Sequence, residues 1–161
     1  MKKVLILIQF IILVILIMMF NPISNRLITI YQAKRLGLNS IYFYKQIKAE
    51  SSFRCFAYSH AKAIGPGQIT KDTAKYIVPE LKSWRLWLPW DNIYASGRYT
   101  RYLLEKYEGN YSLALAAYNW GETNVDMKLK LYNIRVVKSI NYRFLFSNVY
   151  ETDAFIRNII E

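Results

Sequence analysis

The chain has 161 residues, a length that suits one compact domain with a short appendage. Its formal net charge is +11, but the positive residues are scattered and form no known nucleic-acid-binding motif, so we predict no nucleic-acid partner. The single cysteine excludes an intrachain disulfide, and the single histidine disfavours serine triads and histidine-based zinc sites.

An apolar segment opens the chain. Residues 4–20 are apolar apart from Gln9, and Lys2 and Lys3 precede them. As a helix this segment would be roughly 25 Å long, just enough to cross a thin hydrocarbon core. Residues 1–24 are therefore predicted to be a transmembrane anchor or a cleaved signal peptide. No Ala-x-Ala pattern follows the segment, which favours the anchor.

The charges on the two sides of this segment favour opposite orientations. The two lysines before it favour a cytoplasmic N-terminus and an exported body, whereas Arg26, Lys34 and Arg35 favour the reverse. Charge alone therefore leaves the orientation open. The body, residues 25–161, is predicted to be a single domain.

Two helices are predicted after a short polar break. The first spans residues 26–36 and ends at Gly37, and the second can be capped by Asn39 or Ser40. The apolar side of the second helix is expected to contain Ile41, Tyr44 and Ile47.

Glu50 lies at the C-terminal end of the second helix. A carboxylate there meets the unfavourable pole of the helix dipole, which tends to raise its pKa. A raised pKa costs stability but suits an acid catalyst. Cys55 and His60 follow closely, and for Cys55 we favour an inert, half-buried thiol over a nucleophile activated by His60.

The middle of the chain mixes irregular segments with short helices. Residues 54–69 are predicted to be irregular with a Gly-Pro-Gly turn, and a helix opens at Thr70 or Lys71 and ends near Pro79. Three tryptophans follow: Trp84, Trp87 and Trp90. Their rings could line a sugar groove, but filling a small core is the interpretation we favour.

The remaining residues are predicted to be helical. Asp91 or Asn92 can cap a helix that ends at Gly109, and Asn110 caps the next one. Residues 122–146 are predicted to be further helix with unassigned breaks, before a last helix at the C-terminus. No strand pattern or internal repeat is present. The predicted fold class is therefore mainly α.

Short motifs are distributed through residues 40–161. The two longest are Glu50-Ser51-x-Phe53 and the run from Ala114 to Gly121, Ala-Leu-Ala-Ala-Tyr-Asn-Trp-Gly. The others, in chain order, are Ala57-x-Ser59, Ala63-Ile64-Gly65-x-x-Gln68-Ile69, Thr73-Ala74, Asn92-Ile93 and Glu151-Thr152-x-x-Phe155-Ile156. In this order and spacing they resemble the lytic transglycosylase family, goose-lysozyme-like enzymes that cut bacterial cell-wall glycan. The resemblance implies a mainly α, lysozyme-like (goose-type) domain.

The resemblance also implies a mechanism. Glu50 would protonate the oxygen of the β-1,4 bond between MurNAc and GlcNAc, then take the proton of the muramoyl 6-hydroxyl as a 1,6-anhydro ring closes. Most glycosidases use two carboxylates, but none of the four aspartates lies in a setting that nominates it as the partner. A single acid/base glutamate therefore suits the sequence. No metal and no cofactor are predicted.

Four further residues are implied to bind substrate. Ser59 would hydrogen-bond an N-acetyl group or the acid, with a loop cap as its alternative role. Gln68 would hold a sugar or Glu50, with bracing of the turn as the alternative. Tyr118 would direct its hydroxyl at Glu50 or the sugar, with a core position as the alternative. For Asn119 we favour fixing the helix end, with substrate contact secondary.

Departures from the family pattern affect the groove more than the acid. Pro66-Gly67 replaces a usual Leu-Met, and Lys62 and Arg54-Cys55 also depart from common residues. Because glycine tolerates positive φ, we expect the Pro-Gly turn to bring backbone close to substrate.

The sequence thus predicts a peptidoglycan lytic transglycosylase of the cell envelope. It would be anchored in the membrane with its catalytic domain in the periplasm, or secreted if a signal is cleaved. Its partners would be glycan strands, the membrane and, as a further option, a secretion or cell-envelope machine. Two alternatives stay open: a muramidase that uses water, with Asp91 or another acid as base, and a catalytically inactive wall-binding or assembly protein on the same fold.

Overall fold

The computed structural model describes residues 2–161, without the side chains at positions 15, 16, 18 and 19. Met1 and those four side chains, which fall within the predicted anchor 1–24, lie outside the described residues. The described chain forms eight α-helices and two 3₁₀ helices, and its only β pairing consists of isolated bridges. The α-helices are α1 Lys2–Met19, α2 Pro22–Arg35, α3 Ser40–Ser51, α4 Lys71–Ile77, α5 Pro89–Lys106, α6 Tyr111–Trp120, α7 Glu122–Leu131 and α8 Tyr150–Ile160. The 3₁₀ helices are Ser83–Trp87 and Tyr142–Phe146, and the predicted mainly α class is confirmed.

Helix α6 lies at the centre of the domain. It packs against α5, α7 and α8. Every residue from Ser112 to Ala117 is buried, and most of their side chains are small. Small side chains let neighbouring helices approach closely, so α6 can pack tightly with α5, α7 and α8. Helix α3 also packs directly on α8.

Asparagine and threonine side chains begin several helices, as predicted. Asn39 Oδ1 accepts from the backbone N–H of Ile41 and Tyr42 at the start of α3. Asn110 Oδ1 accepts from the N–H of Leu113, and it caps α6. Each bond satisfies an N–H that has no partner within the helix itself.

The predicted start of the helix 26–36 is wrong, because this helix, α2, begins at Pro22 rather than at residue 26. Asn21 caps it by accepting from the Ser24 N–H at 2.9 Å, and proline is well suited to the first helical position. The predicted apolar side of α3 is also wrong in part. Ile41 is exposed whereas Phe43 and Ile47 are buried, since residues four apart share a helix face and residues six apart do not.

Neither Asp91 nor Asn92 caps α5, contrary to the prediction. The helix begins at Pro89, which fixes the φ of its first turn. Asp91 instead accepts two hydrogen bonds from the Arg85 guanidinium, and Asn92 turns into the core. Farther on, helix α7 ends at Leu131, so only part of the predicted helix 122–146 is α-helical.

The three tryptophans do not fill a core. Trp84, Trp87 and Trp90 are 62%, 36% and 44% exposed, so the favoured interpretation is wrong. The 3₁₀ helix buries Leu86 and turns its two tryptophan rings outward. Trp87 stacks on Tyr58 with 6.0 Å between ring centroids, and the sugar-groove alternative stays a prediction.

Helix α1 extends from the rest of the domain. Its side chains from Val4 to Val14 are exposed. Among the described residues, no helix combines the length and the apolarity that crossing a membrane requires.

Candidate active site

Glu50 lies in the last turn of α3, beside an abrupt chain reversal. Ser52 and Phe53 follow with φ of 55° and 64°, in the left-handed region that ends the helix. The Phe53 ring is buried, which fixes this end of α3 to the core. The Glu50 carboxyl is only partly accessible, and within residues 2–161 no hydrogen bond reaches it.

Burial raises the pKa of Glu50 to about 8, with a further rise from the negative charge of Glu151. The direction predicted from the sequence is therefore confirmed, but its main cause is desolvation rather than the helix dipole. Because no hydrogen-bond donor among the described residues stabilises the anion, the proton stays on the carboxyl at neutral pH. A protonated carboxyl in a partly closed site can serve as a general acid.

Glu151 was not selected from the sequence as a site residue. It lies in the first turn of α8, far from Glu50 in the chain, and the packing of α8 on α3 brings the two acids together. The available signal was the motif Glu151-Thr152-x-x-Phe155-Ile156, which contained an acid with no assigned role.

The turn at residues 65–67 forms the wall opposite the end of α3. Ser51 Oγ donates to the Pro66 carbonyl at 2.7 Å, which ties the residue after Glu50 to this turn. Tyr118 donates its hydroxyl to the Gly67 carbonyl, also at 2.7 Å. Burial and the charge of Glu50 raise the pKa of Tyr118 well above its ordinary value, so this phenol stays protonated beside the acid.

Asn92 holds the same turn from the inside. Its Oδ1 accepts from the Gly67 N–H at 2.9 Å, and its Nδ2 donates to the carbonyls of Ile64 and Leu86 at 2.8 and 2.9 Å. The side chain is fully buried, so these bonds are shielded from water. The sequence predicted only a capping role for Asn92, not this one. Its place in the Asn92-Ile93 motif was the available signal.

Position 67 requires glycine because there is no room for a Cβ atom. The sequence led us to expect a positive φ as the reason, which is not the case here. It is Gly65 that has a positive φ, 71°. A Cβ built on Gly67 would lie 2.0 Å from Ser96 Oγ and 2.6 Å from Ser96 Cβ on α5. The turn therefore approaches α5 more closely than any residue with a Cβ would allow.

Ser59 and Gln68 make local hydrogen bonds. Ser59 Oγ accepts from the Ala63 N–H at 3.1 Å, and Gln68 Nε2 donates to the Gly65 carbonyl at 2.9 Å. These contacts match the alternative roles of loop cap and turn brace. Within the described residues neither side chain is hydrogen-bonded to Glu50, and their substrate roles stay predictions.

Asn119 joins α6 to α8. Its Oδ1 accepts from Thr152 Oγ1 at 2.7 Å, and Thr152 is buried next to Glu151 in the chain. Asn119 therefore fixes the position of α8, whose first turn contains Glu151, the negative charge near Glu50. Asp91, the other acid considered from the sequence, is paired with Arg85. No group of three histidine, cysteine or acidic side chains among the described residues is arranged to hold a metal ion.

The raised pKa of Glu50 predicts how stability depends on pH. Between about 4.5 and 8 the folded protein keeps a proton that the unfolded chain releases, so the free energy of unfolding falls as pH rises through this range. Glu50→Gln removes the titration. We expect the variant to match the wild type at pH 5 and to exceed its stability by roughly a few kcal/mol at pH 9. Urea unfolding at both pH values measures the difference, and an equal difference at the two would contradict the assigned pKa.

Comparison with known proteins agrees with this architecture. The sequence profile described as Transglycosylase SLT domain matches residues 28–139. An inactive glutamate-to-glutamine mutant of the lytic transglycosylase Slt from Pseudomonas aeruginosa superposes with a TM-score of 0.72 at 27% identity, covering 86% of this chain and 23% of that one.

The 70 kDa soluble lytic transglycosylase of Escherichia coli is similar in fold, with a TM-score of 0.71 at 21% identity, and the match covers 82% of this chain and 22% of that one. The chain thus spans less than a quarter of the length of either structure. The profile covers well over half of the present chain. The chain belongs to the transglycosylase SLT domain family.

Proposed function

We propose that this protein is a peptidoglycan lytic transglycosylase with Glu50 as its single acid/base. The observation that carries the proposal is a carboxyl with a pKa of about 8, enclosed between α3, the turn 65–67 and α8. Family membership supplies the substrate class, and the solved structure of an inactive glutamate-to-glutamine mutant supports a glutamate as the essential group in a related enzyme.

The proposed reaction uses one carboxyl group twice, first as an acid and then as a base. Glu50 gives its proton to the glycosidic oxygen as the bond between that oxygen and the anomeric carbon of MurNAc breaks. The Glu50 carboxylate then takes the proton of the muramoyl 6-hydroxyl, whose oxygen forms the new bond to the anomeric carbon. The products are a free 4-hydroxyl on GlcNAc and a 1,6-anhydromuramoyl end, without consumption of water.

The geometry also favours one competing function, a muramidase. Glu151 is a second carboxylate with its charge close to Glu50, and two carboxylates are what hydrolytic glycosidases use. Asp91, the base considered from the sequence, is a poorer candidate because both of its oxygens accept hydrogen bonds from Arg85.

Product mass distinguishes the two reactions. The full chain is incubated with purified peptidoglycan sacculi, and the released muropeptides are analysed by mass spectrometry. We expect products lighter by one water than the hydrolysed standards. Hydrolysed products would establish the muramidase instead, and binding to sacculi without release would establish the inactive wall-binding protein.

Replacing Glu151 tests how the acid is tuned. In Glu151→Gln the nearby negative charge is lost, so the pKa of Glu50 falls and the basic limb of the kcat/KM profile moves to lower pH. Glu105→Gln, an exposed change on α5, serves as the matched control and should leave the profile in place. A collapse of kcat at every pH without a shift would instead indicate that Glu151 acts as a base.

The remaining assignments extend the same proposal. Ser59, Gln68, Tyr118 and Asn119 would contact the sugar rings or hold the groups that do, from positions around the turn and the end of α6. Residues 1–24 would attach the domain, 25–161, to the membrane, and the exposed apolar side chains of α1 support this. The enzyme would then act in the cell envelope, outside the cytoplasm, where recruitment by a secretion or cell-envelope machine is a further option.

A further inference from the structure

Helix α2 has its polar and apolar sides reversed. Its side toward the domain contains Asn25, Thr29 and Gln32, all fully buried. Its outer side contains four large side chains at helical spacing: Ile23, Leu27, Ile30 and Tyr31 are 68%, 65%, 37% and 53% exposed. A surface helix in water normally shows the opposite arrangement.

The buried polar side shows that this orientation is fixed. Asn25 Nδ2 donates to the Phe53 carbonyl at 2.8 Å, and Thr29 donates to the Asn25 carbonyl at 2.7 Å. The Gln32 amide makes no hydrogen bond within the described residues, which is unfavourable for a buried polar group. The helix therefore keeps its large apolar side chains outward although this leaves the Gln32 amide buried without a hydrogen bond in the described residues.

Neighbouring groups extend this surface and give it a charge. Trp90 lies against Tyr31 with 5.3 Å between ring centroids and is itself partly exposed. Arg26, Lys34 and Arg35 are exposed on α2, which contains no acidic residue. Apolar side chains with aromatic rings and cations beside them are typical of helices that lie in the headgroup region of an anionic bilayer.

The position of α2 in the chain also indicates a membrane as its partner. Only Phe20 and Asn21 separate it from α1, whose apolar side chains are exposed along its described length. Any membrane that receives α1 would therefore meet α2 next.

From this geometry we infer that α2 is an interfacial docking helix, which lays Ile23, Leu27, Ile30 and Tyr31 on an anionic lipid bilayer. The inference goes beyond the proposed function and does not depend on catalysis. It has a consequence for the enzyme, because α2 packs on α3 and is bonded to the chain reversal at Phe53. A docked α2 would hold the Glu50 cleft at a fixed orientation close to the membrane surface.

Depth-dependent fluorescence tests the inference on the full chain. Leu27→Cys is labelled with an environment-sensitive dye in a Cys55→Ala background and mixed with vesicles of phosphatidylcholine and phosphatidylglycerol in equal parts. Leu131→Cys, at the end of α7, is the matched control because its side chain is also exposed. If Cys55→Ala impairs folding, the variants keep Cys55, and the signal of labelled wild type is subtracted.

Brominated acyl chains should quench the dye at position 27 about twofold or more and leave the dye at 131 unchanged, since an interfacial helix reaches the acyl boundary. Loss of quenching in vesicles of phosphatidylcholine alone would support the assigned role of the cations. Equal, weak quenching at both positions would overturn the inference. So would a blue shift at 27 without quenching but with crosslinking between copies, which would identify a second copy as the partner.

A third label, at Leu5→Cys on α1, separates this inference from the proposed attachment of α1. Quenching at position 5 but not at 27 would retain the attachment and overturn the docking of α2. Quenching at neither position would overturn both, and neither result bears on the transglycosylase reaction.

Discussion

Glu50→Gln should reduce kcat/KM for muropeptide release roughly 10²- to 10⁴-fold, the contribution expected of a general acid. The substitution keeps the size and shape of the side chain and breaks no hydrogen bond within the described residues, because none reaches the carboxyl. In the proposed mechanism it removes only the proton that the glycosidic oxygen receives. The loss should therefore appear in kcat, while binding of glycan strands is retained.

Three measurements make this result decisive. Helical circular dichroism should match the wild type, sedimentation with sacculi should show retained binding, and mass spectrometry should quantify the released products. Glu80→Gln, an exposed change after α4, is the matched control and should remain fully active. If Glu50→Gln kept more than about a tenth of the activity, another group would have to supply the proton, and the single-acid mechanism would be wrong.

The parts of the fold that follow local rules could be predicted from the sequence. Asn39 and Asn110 begin helices because an amide oxygen beside a free N–H is favourable whatever surrounds it. Gly37 ends α2 for an equally local reason, a φ of 67°. The position of Glu50 in the last turn of α3 follows from these boundaries.

What depends on packing between distant segments could not be predicted. Nothing near Asn92 in the sequence shows that its amide will hold the turn at Gly67, and nothing near Glu151 shows that it will approach Glu50. The tryptophans are a second example, in which a local property led to a wrong prediction. Their size favours burial, but a 3₁₀ helix has three residues per turn, so Trp84 and Trp87 share one face and both point outward.

Gly67→Ala should have a large effect although it removes no functional group. The new methyl group would overlap Ser96 Oγ and Cβ, so the turn must move away from α5. Such overpacking costs about 1–3 kcal/mol of stability. Movement of the turn would also loosen the bonds that Asn92 and Tyr118 make to Gly67, and we expect activity to fall about tenfold or more.

A second substitution should reverse much of this loss. Ser96→Gly removes both clashing atoms and leaves the Ile47 methyl group, 3.3 Å from the added Cβ, as the nearest neighbour. Alone, Ser96→Gly should cost about 1 kcal/mol because glycine weakens the interior of a helix. Combined with Gly67→Ala it should restore stability and activity together, with a coupling free energy of about 0.5–3 kcal/mol in a double-mutant cycle.

Additive losses would show that the turn does not depend on its close approach to α5. Recovery of stability without activity would show that the turn shapes the fold but not the reaction. Joint recovery would establish that the distance between the turn and α5 sets the cleft in which Glu50 keeps its proton.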